Sequence, residues 1–322
     1  MTAPHDVPVL RLEDVEVTYR RPDGAAVRAV RGASLAVNAG EIVGLVGESG
    51  CGKSSLGRAA VGLEKLTAGS VTFKGQPVPG LGRRPRPAGL RPLQLLFQDP
   101  YSSLNPRRKV GHQLADGLRA SGEAASRARI VQLLALVAMP PSAADHYPQE
   151  FSGGQRQRLA IGRALAARPS MLVADEPVSA LDASAQAAIV TLLGDLRDET
   201  GIGILFISHD LGVVRQIAQE IAVMYLGKIV ESGHVDAVWS GPRHPYTKAL
   251  IAAAPVADGP GRLPLGLAGQ VPDPSSPPPG CSFHPRCPMA QAECSAVDPP
   301  PLAVGGGQVA RCLFALRRPL EP

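Results

Sequence analysis

The sequence predicts an α/β protein: a mixed, largely parallel sheet core, an inserted α-helical subdomain, and a small Pro/Cys-rich module at the C-terminal end. Three observations predict it. Two strongly apolar runs, Met171 to Ala174 and Ile202 to Ile207, flank a segment of helical spacing from Ala183 to Asp198. Strand, helix, strand with continuously apolar strands is the pattern of a parallel sheet covered on both faces. From about 104 to 169 nearly every segment has helical spacing, including Ala128 to Met139 and Arg156 to Ala167, which places an all-α lobe inside the sheet domain. Beyond Ala254 the composition changes, with 15 of the 32 prolines in the last 68 residues. The expected division is a main domain over 1–255, with its helical subdomain at about 104–169, and a small C-terminal module over 256–322.

The remaining elements follow in order. Residues 9–46 read as strands, with alternation at Leu10, Leu12, Val15 and Val17 and a short apolar run from Glu41 to Val46, the period-2 and buried-strand patterns respectively. Lys53 to Gly62 is helical, Gly69 to Gly75 is strand-like, and Leu93 to Phe97 is a buried-strand candidate. Residues 77–92, rich in Pro, Gly and Arg, read as loop, and the basic run Arg83-Arg84-Pro85-Arg86 within them as a solvated one. No internal repeat is found.

Composition narrows the function class. Of the 322 residues, 44% are hydrophobic and 19% charged, and the net charge is +5. That charge is too small to indicate nucleic-acid binding without a basic stripe. No uninterrupted apolar stretch reaches the roughly 18–20 residues of a membrane span, and the first residues carry acids and lack a basic-then-apolar leader pattern. The expected location is therefore the cytoplasm, with any membrane attachment made by docking to an embedded partner.

Gly47-Glu48-Ser49-Gly50-Cys51-Gly52-Lys53-Ser54 fits G-x-x-x-x-G-K-[ST] between an apolar strand and a helix, the phosphate-cradling loop of P-loop NTPases. Glycines let successive N–H groups turn inward as an anion nest, backed by the positive end of the following helix. Gly47, Ser49, Gly50 and Gly52 shape the nest, Lys53 reaches the β- and γ-phosphates, Ser54 ligates Mg²⁺, and Ser55 adds a phosphate hydrogen bond. Further on, Met171 to Ala174 ends in Asp175-Glu176-Pro177. Ligands lie at the carboxyl ends of strands in such sheets, so Asp175 is placed to hold Mg²⁺ and Glu176 to polarise an attacking water. Capping of the following helix is the other role open to these acids.

Phe151-Ser152-Gly153-Gly154-Gln155 closely resembles the LSGGQ signature of ATP-binding-cassette ATPases, with Phe in place of Leu. Other marks of that family appear in order. Tyr19 matches the aromatic that stacks on adenine, Gln98 the glutamine that senses Mg²⁺, Ser179-Ala180-Leu181-Asp182 the loop that crosses the dimer interface, and His209 the histidine that orients the glutamate. The resemblance covers roughly 9–255. It implies an ATPase with Glu176, His209 and Lys53 as its catalytic residues. It also implies a head-to-tail pair of cassettes, in which Ser152, Gly153, Gly154, Gln155 and Asp182 act in trans on the partner's ATP.

Phe97 to Pro106 and His244-Pro245-Tyr246-Thr247-Lys248-Ala249-Leu250 resemble the oligopeptide/dipeptide importer branch, as does the run from Gly280 to Pro288. The branch implies a second cassette, two membrane permease subunits and an extracytoplasmic solute-binding protein. The implied setting is the cytoplasmic face of the cell membrane. Nickel and glycoside importers share these marks, and a soluble non-transport cassette ATPase is the remaining alternative. Four of the five cysteines, Cys281, Cys287, Cys294 and Cys312, lie in the tail. In a cytosolic protein such clustering suggests a metal more than disulfides. The spacing lacks the C-x₂-C knuckle of structural zinc, four thiolates also suit a [4Fe–4S] cluster, and reduced thiols in a small packed fold are the third reading.

Overall fold

The computed structural model describes residues 7–21, 24–82, 86–99, 103–254 and 269–316. Three members of the basic run, 83–85, lie outside these, as do 100–102 of the branch motif and 255–268 of the expected linker. Arg86 is described, and it departs from a solvated loop. Its guanidinium donates to the carbonyls of Leu93 at 3.1 Å and Val61 at 3.2 Å, so it ties the loop to the strand and helix beside it.

Two sheets form the frame. In the first, β1 (Leu10–Arg20), β2 (Ala26–Val37), β4 (Ala68–Phe73) and β5 (Gln76–Pro77) pair antiparallel in the order β2-β1-β4-β5. Leu12 and Val15 break strict alternation yet both face the core, because the register shifts between them and Asp14 turns to φ 46°. Such a bulge re-aims the side chains that follow it.

The second sheet has eight strands. Its parallel part runs β9-β3-β8-β7-β6, with β3 at Ile42–Val46, β6 at Leu93–Leu96, β7 at Met171–Asp175, β8 at Gly203–Ser208 and β9 at Glu220–Tyr225. Every residue of β3, β7 and β8 is buried. One face packs, through α1 (Lys53–Ala60), against the antiparallel sheet; the other meets the helical lobe. Burial on both faces is why these strands read as unbroken apolar runs.

The lobe comprises α2 (Val110–Ala120), α3 (Arg127–Leu136) and α4 (Gly153–Ala166), broken by 3-10 turns at Pro141–Asp145 and Pro148–Glu150. The chain then returns through β7 to α5 (Ala183–Thr200). That helix is capped by the Asp182 carboxylate on the Ala185 N–H at 2.9 Å and stopped by Gly201 at φ 67°, the usual N- and C-terminal devices.

After β8, α6 (Leu211–Ile217) leads to β9 and then to β10 (Lys228–His234) through the turn Leu226-Gly227. Both turn residues have positive φ, 41° and 81°, the hairpin geometry that matches strand twist. Two more helices, α7 (Val235–Ser240) and α8 (Pro245–Ala253), close the main domain.

The tail does not stand apart. Its hairpin of β11 (Leu302–Gly305) and β12 (Gln308–Ala310) continues the large sheet, with β12 antiparallel to β10 through Glu231↔Ala310 and Ser232↔Val309. A short helix, α9 (Ala292–Ala296), precedes it. Phe283 is 2% exposed and packs at 5.3 Å from the Tyr225 ring and 5.4 Å from that of Tyr246.

The start of α8 carries a pH dependence. His244 is buried and its Nδ1 accepts from the Tyr246 N–H at 3.1 Å, while the Glu231 carboxylate accepts from the N–H groups of Arg243 and His244. Burial pushes the His244 imidazole from its ordinary 6.5 down to about 3. A depressed folded-state value means that this contribution is whole above the unfolded value and is lost as pH falls from 6.5 toward 3. Unfolding free energy measured by urea at pH 7 and 5.5 should drop by about 1 kcal/mol more in the unmutated chain than in His244→Asn. Burial raises the Glu231 carboxyl, which acts in the opposite sense in both proteins, so the difference between them isolates His244. Equal losses in the two would refute the assignment.

Candidate functional site

The loop from Gly47 to Ser54 joins β3 to α1 at the carboxyl end of the parallel strands. Two of its glycines are required by space as well as conformation. Gly47 has φ 155° and an added Cβ would lie 2.2 Å from the Met224 carbonyl oxygen; Gly52 has φ 108° and its Cβ would lie 2.1 Å from that of Ala29. The loop is thus wedged between the end of β9 and strand β2. Lys53 is 4% exposed, and its Nζ donates to the carbonyls of Gly47 at 2.8 Å and Glu48 at 3.0 Å. Those contacts curl the loop around its own ammonium.

The Ser54 hydroxyl donates to Asp175 Oδ1 at 2.8 Å. Asp175, at the end of β7, is 2% exposed, and desolvation raises its carboxyl above the ordinary range, opposed by the Ser54 bond. Next along, Glu176 adopts φ 45°, with its N–H on the Ile207 carbonyl at 3.0 Å. A left-handed conformation at a residue other than glycine costs about 1–3 kcal/mol and recurs at functional sites. Its Oε2 accepts from Gln98 Nε2 at 3.1 Å and lies 3.3 Å from His209 Nδ1. Three elements therefore meet on one carboxylate: the end of β7, the segment after β6 and the end of β8.

Between these groups runs a cleft of about 450 Å³, with Ser49, Gly50, Gly52, Lys53, Ser54 and Ser55 on one side and Gln98, Glu176 and His209 on the other. Ala29 also lines it, a position with no signal in the sequence. Tyr19 stands behind Ser55, its hydroxyl 3.2 Å from Ser55 Oγ.

Ser152, Gly153, Gly154, Gln155 and Asp182 are not among the residues lining this cleft. They sit at two helix N-termini. Ser152 and Gln155 form a reciprocal capping box at α4, with bonds of 3.0 and 3.4 Å. Asp182 caps α5, and Gly154 faces Ala185 of that helix so closely that a Cβ would approach to 3.0 Å. Ser152, Gly153, Gln155 and Asp182 are solvent-exposed.

The four tail cysteines line one apolar pocket with Phe283, Met289 and Phe314. Among the described residues no group of three or more His, Cys, Asp or Glu side chains is placed to hold a metal ion. Burial, with the neighbouring cysteines, pushes the Cys281 thiol up to about 11 and also raises Cys287. The [4Fe–4S] and zinc expectations find no support among the described residues. Cys51 is likewise buried as a thiol, its value raised by desolvation.

Residues 30–179 match the family model described as ABC transporter, and 230–294 the one described as oligopeptide/dipeptide transporter, C-terminal region. A probable peptide ABC transporter ATP-binding protein of Sinorhizobium fredii is 49% identical over 303 residues, 92% of this chain and 86% of the relative. This chain is an ABC transporter ATP-binding protein. Two further ABC relatives agree. The oligopeptide transport ATP-binding protein AppF of Bacillus subtilis is 42% identical over 93% of this chain and 95% of its own. The di/tripeptide transport ATP-binding protein DppF of Pseudomonas aeruginosa is 44% identical over 85% and 86%. A solved ATP-binding cassette, dimeric and bound to ADP and Pi after hydrolysis, superposes with a TM-score of 0.62 and 28% identity over 70% of this chain and 98% of that one. The ABC cassette is an ATPase.

Proposed function

We propose that this ABC ATPase drives peptide uptake, closing with a second cassette on two ATP molecules and passing that closure to two permease subunits fed by an extracytoplasmic solute-binding protein. The observation that carries the reading is the match of 230–294 to the oligopeptide/dipeptide transporter C-terminal region, beside full-length relatives named for peptide transport. The division into a cassette over 1–255 and a branch-specific segment over 256–322 belongs to the same reading. Among the described residues no helix is long and apolar enough to cross a membrane, so attachment at the cytoplasmic face is assigned to docking on the permeases.

Within the cleft, the proposed roles follow the geometry. Lys53, held by loop carbonyls, has its ammonium beside the nest, where it meets the β- and γ-phosphates. Ser54 and Asp175, with Gln98 opposite, are the oxygen donors a hard divalent cation prefers, and a buried carboxylate with a raised pKa gains from a cation beside it. Mg²⁺, when bound there, neutralises charge on the phosphates. Glu176 takes the proton of the attacking water, and His209 and Gln98 hold its carboxylate in place. Tyr19 supplies the aromatic face for adenine. The exposed cap of α4 (Ser152, Gly153, Gly154 and Gln155), with Asp182, serves the γ-phosphate of the partner's ATP, since a helix N-terminus is a ready anion site. The four tail thiols are assigned no metal.

The test is a pull-down from detergent-solubilised membranes, using tagged Glu176→Gln protein with ATP and Mg²⁺ to trap the closed dimer. Recovery of two permeases with a second cassette is the expected result. Recovery of soluble partners alone, or of the homodimer alone, would refute the importer assignment.

A further inference from the structure

The phosphate loop is gripped from outside the cleft. Arg286, in the tail, donates from Nη1 to Glu48 Oε2 at 2.7 Å and from Nη2 to Oε1 at 3.0 Å, the two-pronged geometry of the stronger carboxylate pairs. The Arg286 side chain is 3% exposed and that of Glu48 22%, so solvent screens the pair weakly. Arg286 is itself fixed: its guanidinium carbon lies 5.8 Å from the Tyr225 ring centroid and 5.9 Å from that of Phe283, and Nη1 reaches the Tyr225 hydroxyl at 3.4 Å. Glu48 is held at two more points. Its N–H donates to the Tyr246 hydroxyl at 2.8 Å, and its carbonyl accepts from Lys53 Nζ.

Glu48 is thus fastened by side chain, N–H and carbonyl, and the last of these steadies the ammonium that meets phosphate. The pair also settles a charge problem. A carboxylate on a loop built to collect a polyanion repels its ligand, and the guanidinium cancels that charge where screening is weak.

We propose that Arg286 is a positioning residue of the ATPase: by neutralising Glu48 and fixing the phosphate loop, the docked tail sets the affinity for ATP. The inference rests on the 47–54 loop being the nucleotide site. It joins residues 238 positions apart, and by linkage nucleotide must stabilise the docked tail as much as the docked tail favours nucleotide.

The experiment measures Mg–ATP binding with a fluorescent analogue, and steady-state hydrolysis, on the full chain. Arg286→Gln should raise Kd and KM about tenfold with kcat within about threefold, inside the range carried by residues that touch neither ligand. The double variant Glu48→Gln/Arg286→Gln, in which the stranded carboxylate is gone, should recover most of that loss, the non-additivity expected of a direct pair. Loss of folding support alone would not be rescued by removing the second partner. Unchanged Kd in Arg286→Gln, or a double variant no better than the single, overturns the proposal. Should Arg286→Gln not fold, amide exchange on the unmutated chain decides. Mg–ATP should then protect 281–287 as well as the loop, and protection confined to the loop overturns the proposal. An unmutated chain that bound no Mg–ATP would overturn the nucleotide assignment itself.

Discussion

Glu176→Gln should lower ATP turnover by about 10²–10⁴-fold, the usual worth of a positioned general base, while leaving Kd for Mg–ATP within about threefold. The separation follows from where Glu176 sits. Its carboxylate faces the cleft from the end of β7 and contacts Gln98 and His209, whereas the proposed binding groups are the loop and helix N–H groups across the cleft. Glutamine keeps the shape and the ability to hydrogen-bond but cannot take a proton from water. The backbone at φ 45° tolerates glutamine as it does glutamate, so a loss of folding is not expected. Equal falls in affinity and turnover would show that Glu176 serves binding and not proton transfer. His209→Ala should reproduce a smaller part of the loss, because it removes only one of the two groups that aim the carboxylate.

Lys53→Ala should act on the other half of the cycle. Removing one partner of a desolvated, hydrogen-bonded charge pair costs about 2–5 kcal/mol, which is roughly a 30- to several-thousand-fold rise in Kd for Mg–ATP. The ammonium is 4% exposed and enclosed by the loop, so water replaces it poorly. In the same substitution the Gly47 carbonyl loses the Lys53 donor and the Glu48 carbonyl keeps only the Cys51 N–H at 3.3 Å, so the loop loses its internal brace. Turnover falls as a consequence of lost binding. Titration with a fluorescent nucleotide separates the two variants: one binds and does not hydrolyse, the other does not bind. A Lys53→Ala protein that bound Mg–ATP with unaltered affinity would remove Lys53 from the phosphate site.

What was legible in the sequence had local causes. The loop from Gly47 to Ser54 is dictated at Gly47 and Gly52 by neighbours that leave no room for a Cβ, and at Gly50 by a positive φ, so its pattern is strict and readable. The acids at the end of β7 and the histidine after β8 are located by the apolar strands that lead to them. Ser152 and Gln155 announce a helix start by capping alone. The parts that stayed hidden depend on contacts across the chain. β9 and β10 follow a seven-residue helix and turn at Leu226-Gly227, a pair in which a bulky residue adopts positive φ against its habit. β11 and β12 are four and three residues long, too short for a period-2 signal, and they join a sheet whose other strands end more than sixty residues earlier. Glu48, Tyr246 and Arg286 share no spacing rule, since only the folded chain brings them together. The cysteine spacing left three readings open, and the folded chain lines one pocket with the four thiols, with no ligand set found among the described residues.

The β10–β12 pairing also decides how the protein fails. A sheet's outermost strand carries unpaired N–H and C=O groups that recruit strands from other molecules. Here β12 covers those of β10 at Glu231 and Ser232, and Phe283 packs against the touching rings of Tyr225 and Tyr246. Removal of the tail would bare both at once, a hydrogen-bonding template beside an aromatic patch. A truncated molecule of this kind exposes the longer edge of β10 where the intact chain ends its sheet on the four-residue β11, so it should self-associate more readily than the intact chain.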